Sequence, residues 1–155
     1  MQDNHISKVY SGWTGHFITI VTQNRLNYFG EISNEVMHHS TAGVVAGILW
    51  SDIANCRSNL IRKEFVVMPN HIHGILLIKS LKSEIGEITQ GSIMSLETVI
   101  RLYKGAVKKF CNIYKLDFNW QSSFHSKTFK TESEYKNIVK YIEDNVKNWS
   151  EEPSE

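Results

Sequence analysis

The chain has 155 residues, 41% of them hydrophobic and 21% charged, with a formal net charge of +1. Such totals describe one soluble globular domain, residues 1–155, with enough chain for a sizeable core. No apolar run approaches the roughly 18 residues of a membrane span, and no secretory signal pattern opens the chain. Cys56 and Cys111 form no C-x-x-C pair. That disfavours a zinc knuckle or redox motif and points to a reducing, cytoplasmic setting.

Residues 1–15 are polar, with two glycines, and read as an irregular lead-in. The β-branched and aromatic run from His16 to Thr22 predicts a strand. A loop follows to Gly30. From about Asn34 to Cys56 the spacing of Val36, Val44, Val45, Ile48, Leu49 and Ile53 predicts a helix, interrupted in quality by Gly43 and Gly47. Two strands, Ile61 to Val67 and Ile72 to Ile78, flank Met68-Pro69-Asn70, which is too short for anything but a tight turn. Proline cannot donate to a ladder and Pro-Asn favours a turn, so the pair reads as an antiparallel hairpin. Residues 80–91 read as a surface loop. A helix from about Ser95 to Tyr114 buries Leu96, Val99, Ile100, Tyr103, Val107, Phe110 and Ile113 on one stripe. Ser122 to Lys130 reads as a fourth strand. Thr131-Glu132-Ser133-Glu134 is a capping box that starts a last helix reaching about Lys147, and residues 150–155 are a frayed tail. The order β-α-β-β-α-β-α predicts an α+β, ferredoxin-like βαββαβ unit with a mainly antiparallel four-stranded sheet and one extra C-terminal helix.

The chemistry concentrates at two places. Val66 to Ile78 is the densest apolar run, yet it contains His71 and His73. Residues i and i+2 of a strand share a face, and neutral imidazole is a common metal ligand, so the pair is a candidate clamp for a metal ion. On the last helix Tyr135, Ile138, Val139, Ile142, Val146 and Trp149 fall within roughly 50° of one direction and form the packing stripe. Tyr141 lies about 120° from that stripe, with Asn145 one turn further on the same side. A tyrosine hydroxyl near a metal is a candidate nucleophile, and the Asn145 carboxamide is a candidate third ligand.

Between Arg101 and Asn148 ten basic residues stand against five acidic ones, interleaved with Tyr103, Tyr114, Trp120, Phe124 and Phe129. Cations mixed with aromatics suit a single-stranded nucleic acid, and a solvated lysine-rich surface is the plainer alternative. Arg25, Lys104, Lys108, Lys127 and Lys130 are the candidate phosphate contacts. His38, His39 and His125 read as surface or supporting residues rather than ligands.

Several stretches together resemble the HUH-class single-tyrosine transposases, in particular the REP-associated tyrosine transposases. Phe17 to Arg25 followed by Tyr28-Phe29-Gly30-Glu31-Ile32 is similar to the N-terminal signature of that family. Met68 to Gly74 matches its His-hydrophobe-His segment. Trp120-Gln121-Ser122-Ser123-Phe124-His125 resembles the segment before the last strand, and Tyr141-Ile142-Glu143-Asp144-Asn145 resembles the helix of the nucleophile. The four lie in the family's order and span residues 16 to 149. The chain departs from the pattern in having Asn145-Val146 where Asn-Pro is common. After Phe124 it has lysines where relatives carry an acidic residue and an arginine.

The resemblance implies that His71 and His73 bind Mg²⁺ or Mn²⁺, and that Tyr141 attacks the scissile phosphate of single-stranded DNA with hairpin structure. A 5′-phosphotyrosine bond would form, and reversal with another 3′-hydroxyl would join strands. Asn145 stands where related enzymes place a glutamine ligand. Two imidazoles favour Zn²⁺ over Mg²⁺, but phosphate and water oxygens filling the other positions suit an octahedral Mg²⁺ or Mn²⁺. Relatives act as a homodimer with exchanged tyrosine helices or as a monomer. A non-cleaving nucleic-acid-binding module and a metal-dependent hydrolase using water are the competing readings.

Overall fold

The computed structural model describes residues 11–79 and 94–150. Six strands and three helices follow in order: β1 (Trp13–Thr22), a 3₁₀ turn (Gln23–Arg25), β2 (Gly30–Ser33), β3 (Val36–His39), α1 (Thr41–Ser51), β4 (Leu60–Val67), β5 (His71–Lys79), α2 (Leu96–Ile113), β6 (Trp120–Phe129) and α3 (Glu132–Asp144). The main sheet has strand order β4-β5-β1-β6, with every neighbouring pair antiparallel. Setting aside the small β2–β3 hairpin, this is the predicted βαββαβ arrangement with a helix after the last strand. The loop predicted over 80–91, most of the lead-in and the acidic tail lie outside the described residues.

The sheet is covered on both faces, and strand alternation decides which side chain goes where. Ile18 and Ile20 of β1, Ile72 and Leu76 of β5 and Val67 of β4 face one way, into the larger core with α1 and α2. Ile75 and Leu77 of β5, with Phe17, Ile61, Val66 and Phe129, face the other way and pack under Tyr135, Ile138, Val139 and Ile142 of α3. The capping box that starts α3 is formed as expected. Thr131 Oγ1 accepts from the Glu134 amide (3.2 Å) and Glu134 Oε2 accepts from the Thr131 amide (3.1 Å). The Lys130 and Thr131 amides, both donating to it, hold the Glu134 carboxyl below its ordinary range.

Four sequence expectations are corrected. Trp13 to Gly15 are not irregular but belong to β1, paired with Leu77 to Lys79. Gly15 takes part because the Phe129 ring lies where its Cβ would be, 2.4 Å away. The helix expected from Asn34 is instead a short hairpin followed by a helix of 11 residues. Asn34 and Glu35 take positive φ (51° and 61°), the backbone of a two-residue hairpin turn. Without the usual glycine the turn was not legible, and Val36 became the false first residue of a helical stripe. Third, α1 turns its small residues inward. Ala42, Ala46 and Trp50 are buried, while Val44 and Ile48 are exposed. The reason is close approach: a Cβ on Gly43 would meet the Phe29 carbonyl oxygen at 2.1 Å. In α2 the stripe likewise ends on buried Cys111, and Ile113 points to solvent. Fourth, α3 ends at Asp144 rather than Lys147, with turns continuing to Asn148.

The 68–70 turn is held by one bond within the hairpin and two from outside it. The Met68 amide donates to the His71 carbonyl (2.8 Å), the Phe29 amide to the Pro69 carbonyl (2.9 Å) and the Thr22 amide to the Asn70 carbonyl (2.9 Å). Just after the histidines, Gly74 leaves room for Trp50. Any Cβ there would sit 2.3 Å from Trp50 Cζ2. Gly74→Ala is therefore expected to cost about 1–3 kcal/mol through overpacking, read as a lowered urea midpoint with an unchanged slope.

Candidate active site

His71 and His73 occupy the face of β5 that α3 covers, on the same side as Ile75 and Leu77. Their ring centroids are 4.5 Å apart. Each imidazole has a partner for Nδ1. His71 Nδ1 lies 2.6 Å from Asn70 Oδ1, and the orientation of that carboxamide is fixed because Asn70 Nδ2 donates to the Arg25 carbonyl (3.2 Å). The amide oxygen can only accept, so His71 carries its proton on Nδ1 and presents a bare Nε2. His73 Nδ1 lies 2.9 Å from Thr19 Oγ1. Thr19 is the direct cross-strand neighbour of His73 on β1. A ring that donates from Nδ1 to this hydroxyl leaves its Nε2 free in the same way.

Both rings are held neutral. Burial pushes His71 down to about 3, with the neighbouring His73 and Arg25 adding repulsion. Burial pushes His73 down to about 4, against a smaller upward pull from a hydrogen bond to the backbone of Ile18. Neutral imidazoles with bare Nε2 atoms are the form that binds a metal ion. Among the described residues no group of three His, Cys, Asp or Glu side chains is placed to hold one. Sequence explains part of this: β1, β5 and β6 contain no carboxylate at all. On β4 Glu64 accepts from the Tyr135 hydroxyl (2.6 Å). The donor set present fits a divalent cation that takes its remaining ligands from water and from an anionic substrate.

Tyr141 comes to this pair within one chain. Its ring centroid is 5.3 Å from that of His73 and 6.0 Å from that of Phe17, edge-on in both cases, and the residue is 52% exposed. The sequence reading placed it off the packing stripe; it sits at the border, resting on the sheet with its other side open. The turn after α3 carries Trp149 to within 6.1 Å of the His71 ring. Asn145 caps α3, its Nδ2 reaching back to the Tyr141 carbonyl at 3.5 Å.

The basic candidates divide. Arg25 is close enough to His71 to depress its protonation. Lys127 of β6 lies directly opposite Phe17 of β1, and Lys130 follows β6, its amide donating to Glu134 Oε2 (2.9 Å). Lys104 and Lys108 are not at the site. They belong to α2 on the other face of the sheet, where the Lys104 ammonium donates to the Gln121 carbonyl (2.7 Å). The Lys108 ammonium donates to the Phe118 carbonyl (2.6 Å) and to Asn119 Oδ1 (2.9 Å). Residues that sequence reasoning passed over are Asn70 and Thr19, which orient the imidazoles, and Phe17 and Trp149, which flank them. Pro-Asn before the histidines signals a turn in sequence. An amide placed next to a ligand histidine is the signal it also carried.

No family model matches the chain. It is 28% identical over 148 residues to a Haemophilus influenzae protein described as uncharacterized, covering 88% of this chain and 82% of that one. Its fold is similar to a solved REP-associated tyrosine transposase bound to a REP hairpin, with a TM-score of 0.58 and 18% identity, over 88% of this chain and 73% of that chain. At that identity the likeness is one of fold. Among the described residues no helix is long and apolar enough to cross a membrane, and Cys56 and Cys111 are free thiols.

The depressed histidines make stability depend on pH. Above pH ~6.5 both are neutral folded and unfolded, so they contribute no pH dependence. As pH falls from there toward about 3 or 4, the unfolded chain takes up protons that the folded chain refuses. Stability is then lost at up to about 1.4 kcal/mol per pH unit for each histidine. Urea unfolding in EDTA between pH 7 and 4 should show this loss, and replacing both histidines with Gln should flatten it.

Proposed function

We propose that this protein is a metal-dependent single-stranded DNA nicking and joining enzyme that works through a 5′-phosphotyrosine link, a transposase or domesticated relative acting on hairpin-bearing DNA. The observation that carries the reading is the placement of Tyr141 against His73 within one chain. The order of the sequence signatures, the shared fold with a hairpin-bound REP-associated transposase and the lack of carboxylates on β1, β5 and β6 support it. One protomer holds the whole set, so a monomer suffices for one cleavage and a homodimer is not required by the site.

In this reading His71 and His73 hold Mg²⁺ or Mn²⁺ through Nε2, while Asn70 and Thr19 fix the ring orientations. The bound cation supplies Lewis-acid polarisation of the scissile phosphate and a template for it. The Tyr141 oxygen attacks phosphorus, the P–O3′ bond breaks, and the phenolic proton is replaced by the new bond while the departing 3′-oxygen takes up a proton. Because the phosphodiester is exchanged for a phosphotyrosine, attack by another 3′-hydroxyl restores a DNA strand without ATP. Asn145, one turn beyond Tyr141, is retained as a candidate further ligand once its weak cap to the Tyr141 carbonyl is released.

Labelled hairpin DNA with a single-stranded flank, incubated with Mn²⁺ and run on a denaturing gel, should give a covalent protein–DNA adduct. Tyr141→Phe should abolish it while leaving DNA binding intact. Cleavage that survives Tyr141→Phe would instead assign a hydrolase, and binding without cleavage a recognition module. Asn70→Ala should weaken Mn²⁺ affinity about 10–100-fold, as loss of a ligand's orienting partner does, measured by calorimetric titration.

A further inference from the structure

Among the described residues, the histidine-side face of the sheet is only partly covered. Its apolar seam with α3 runs through Ile61 and Val66 of β4 and Ile75 and Leu77 of β5, takes in Phe17 of β1 and Phe129 at the end of β6, and Tyr135 reaches Glu64 of β4. Tyr141 projects from the other side of α3, toward β1. Beyond it lies β6, an edge strand of the sheet. Phe129 of β6 is in the α3 core while Phe124 packs in the opposite core. Alternation therefore puts His125 and Lys127 on the same face as Tyr141. The register agrees. Lys127 and Ile75 both lie directly opposite Phe17, and His125 and His73 both lie directly opposite Thr19. Residues directly opposite on adjacent strands share a face. Both β6 side chains are exposed.

The result is an open shelf with Phe17 and Thr19 as floor, Tyr141 as one wall and His125 and Lys127 as the other. At its upper end Arg25 stands near His71, and the 3₁₀ turn that carries it is tied to the start of β6 through the Gln23 amide and the Asn119 carbonyl (2.9 Å). No carboxylate lies on β1, β5 or β6 to repel an anion, and the Glu134 carboxylate at the start of α3 is near enough to Lys127 to feel its charge. Successive side chains on one strand face repeat at about 6.8 Å, a spacing that suits the step between phosphates of an extended polynucleotide. The seven residues from Gln121 to Lys127 span about 20 Å.

We infer that the α3-side face of β6 is the track for the DNA strand that flanks the scissile phosphate, with Lys127 and His125 as its backbone contacts. This rests on the nicking reading of the site and adds the path of the substrate. His125 thereby becomes a binding residue rather than a surface histidine. Lys104 and Lys108, already engaged on the opposite face, have no part in it.

The test uses the full chain and a hairpin DNA with a single-stranded flank, in which single phosphates near the cut are replaced by neutral methylphosphonates. In the wild-type protein, one or two of these replacements should weaken binding by on the order of tenfold, the loss expected for a charge-assisted contact. In Lys127→Ala the sensitive position should become insensitive, and the slope of log affinity against log salt should fall by about 1. His125→Ala should lose a second position, with His125→Gln restoring part of it. Both variants should raise KM while leaving the adduct rate at saturating DNA within about twofold of wild type. Lys136→Ala, on the far side of α3, serves as control. If the wild type cuts the DNA but both variants match Lys136→Ala, or if no methylphosphonate position responds to them, the track is overturned and the nicking reading stands. If the wild type neither binds nor cuts, both fall together.

Discussion

The register of β5 between β4 and β1 is the constraint on which the site depends. β5 is buried on both faces, and a slip of one residue would send every side chain to the opposite side. His71 and His73 would then point into the α1–α2 core, and Ile72 and Leu76 toward α3. Two features on opposite sides of the strand forbid this. Gly74 admits the Trp50 indole on one face, and Thr19 meets His73 Nδ1 on the other. The backbone clamps from Thr22 and Phe29 onto the 68–70 turn fix the strand's start at the same register. A pair of imidazoles 4.5 Å apart, both neutral, is the consequence.

The second half of the site is set by a different means. Tyr141 is far from the histidines in sequence, so its position depends on where α3 begins and how it lies. The capping box fixes the first turn. Tyr135 stacks on Phe129 and donates to Glu64, and Ile138, Val139 and Ile142 seat the helix on Ile75 and Leu77. With that face committed, geometry leaves Tyr141 at the edge of the seam, half covered by His73 and Phe17 and half open. A side chain in that place is positioned without being sealed, as the nucleophilic role proposed for it needs.

Electrostatics complete the division of labour between the two faces of the sheet. The α1–α2 side contains ammonium groups, but those of Lys104 and Lys108 hold the connection into β6 by donating to its carbonyls. On the α3 side Arg25 and Lys127 face a surface without carboxylates on β1, β5 or β6. Counting basic residues over the second half of the chain could not separate these roles, because a positive charge has the same weight in composition whether it braces a loop or faces a ligand.

The amino-acid sequence by itself determined the order of the main elements, the hairpin around Pro69 and the capped last helix. It also determined that His71 and His73 share a face, since these follow from alternation, helical period and local turn chemistry over a few residues. It misplaced what depends on contacts between distant segments. The β2–β3 hairpin lacks a glycine signal at Asn34-Glu35, and α1 packs its Ala and Gly face because Phe29 lies against Gly43. Which residues orient the imidazoles, and which lysines brace the connection into β6, depended on contacts between distant segments. Only the tertiary structure decided that Tyr141 meets the histidines of its own chain, because that meeting depends on where α3 lands on β4 and β5, and no local spacing encodes a landing.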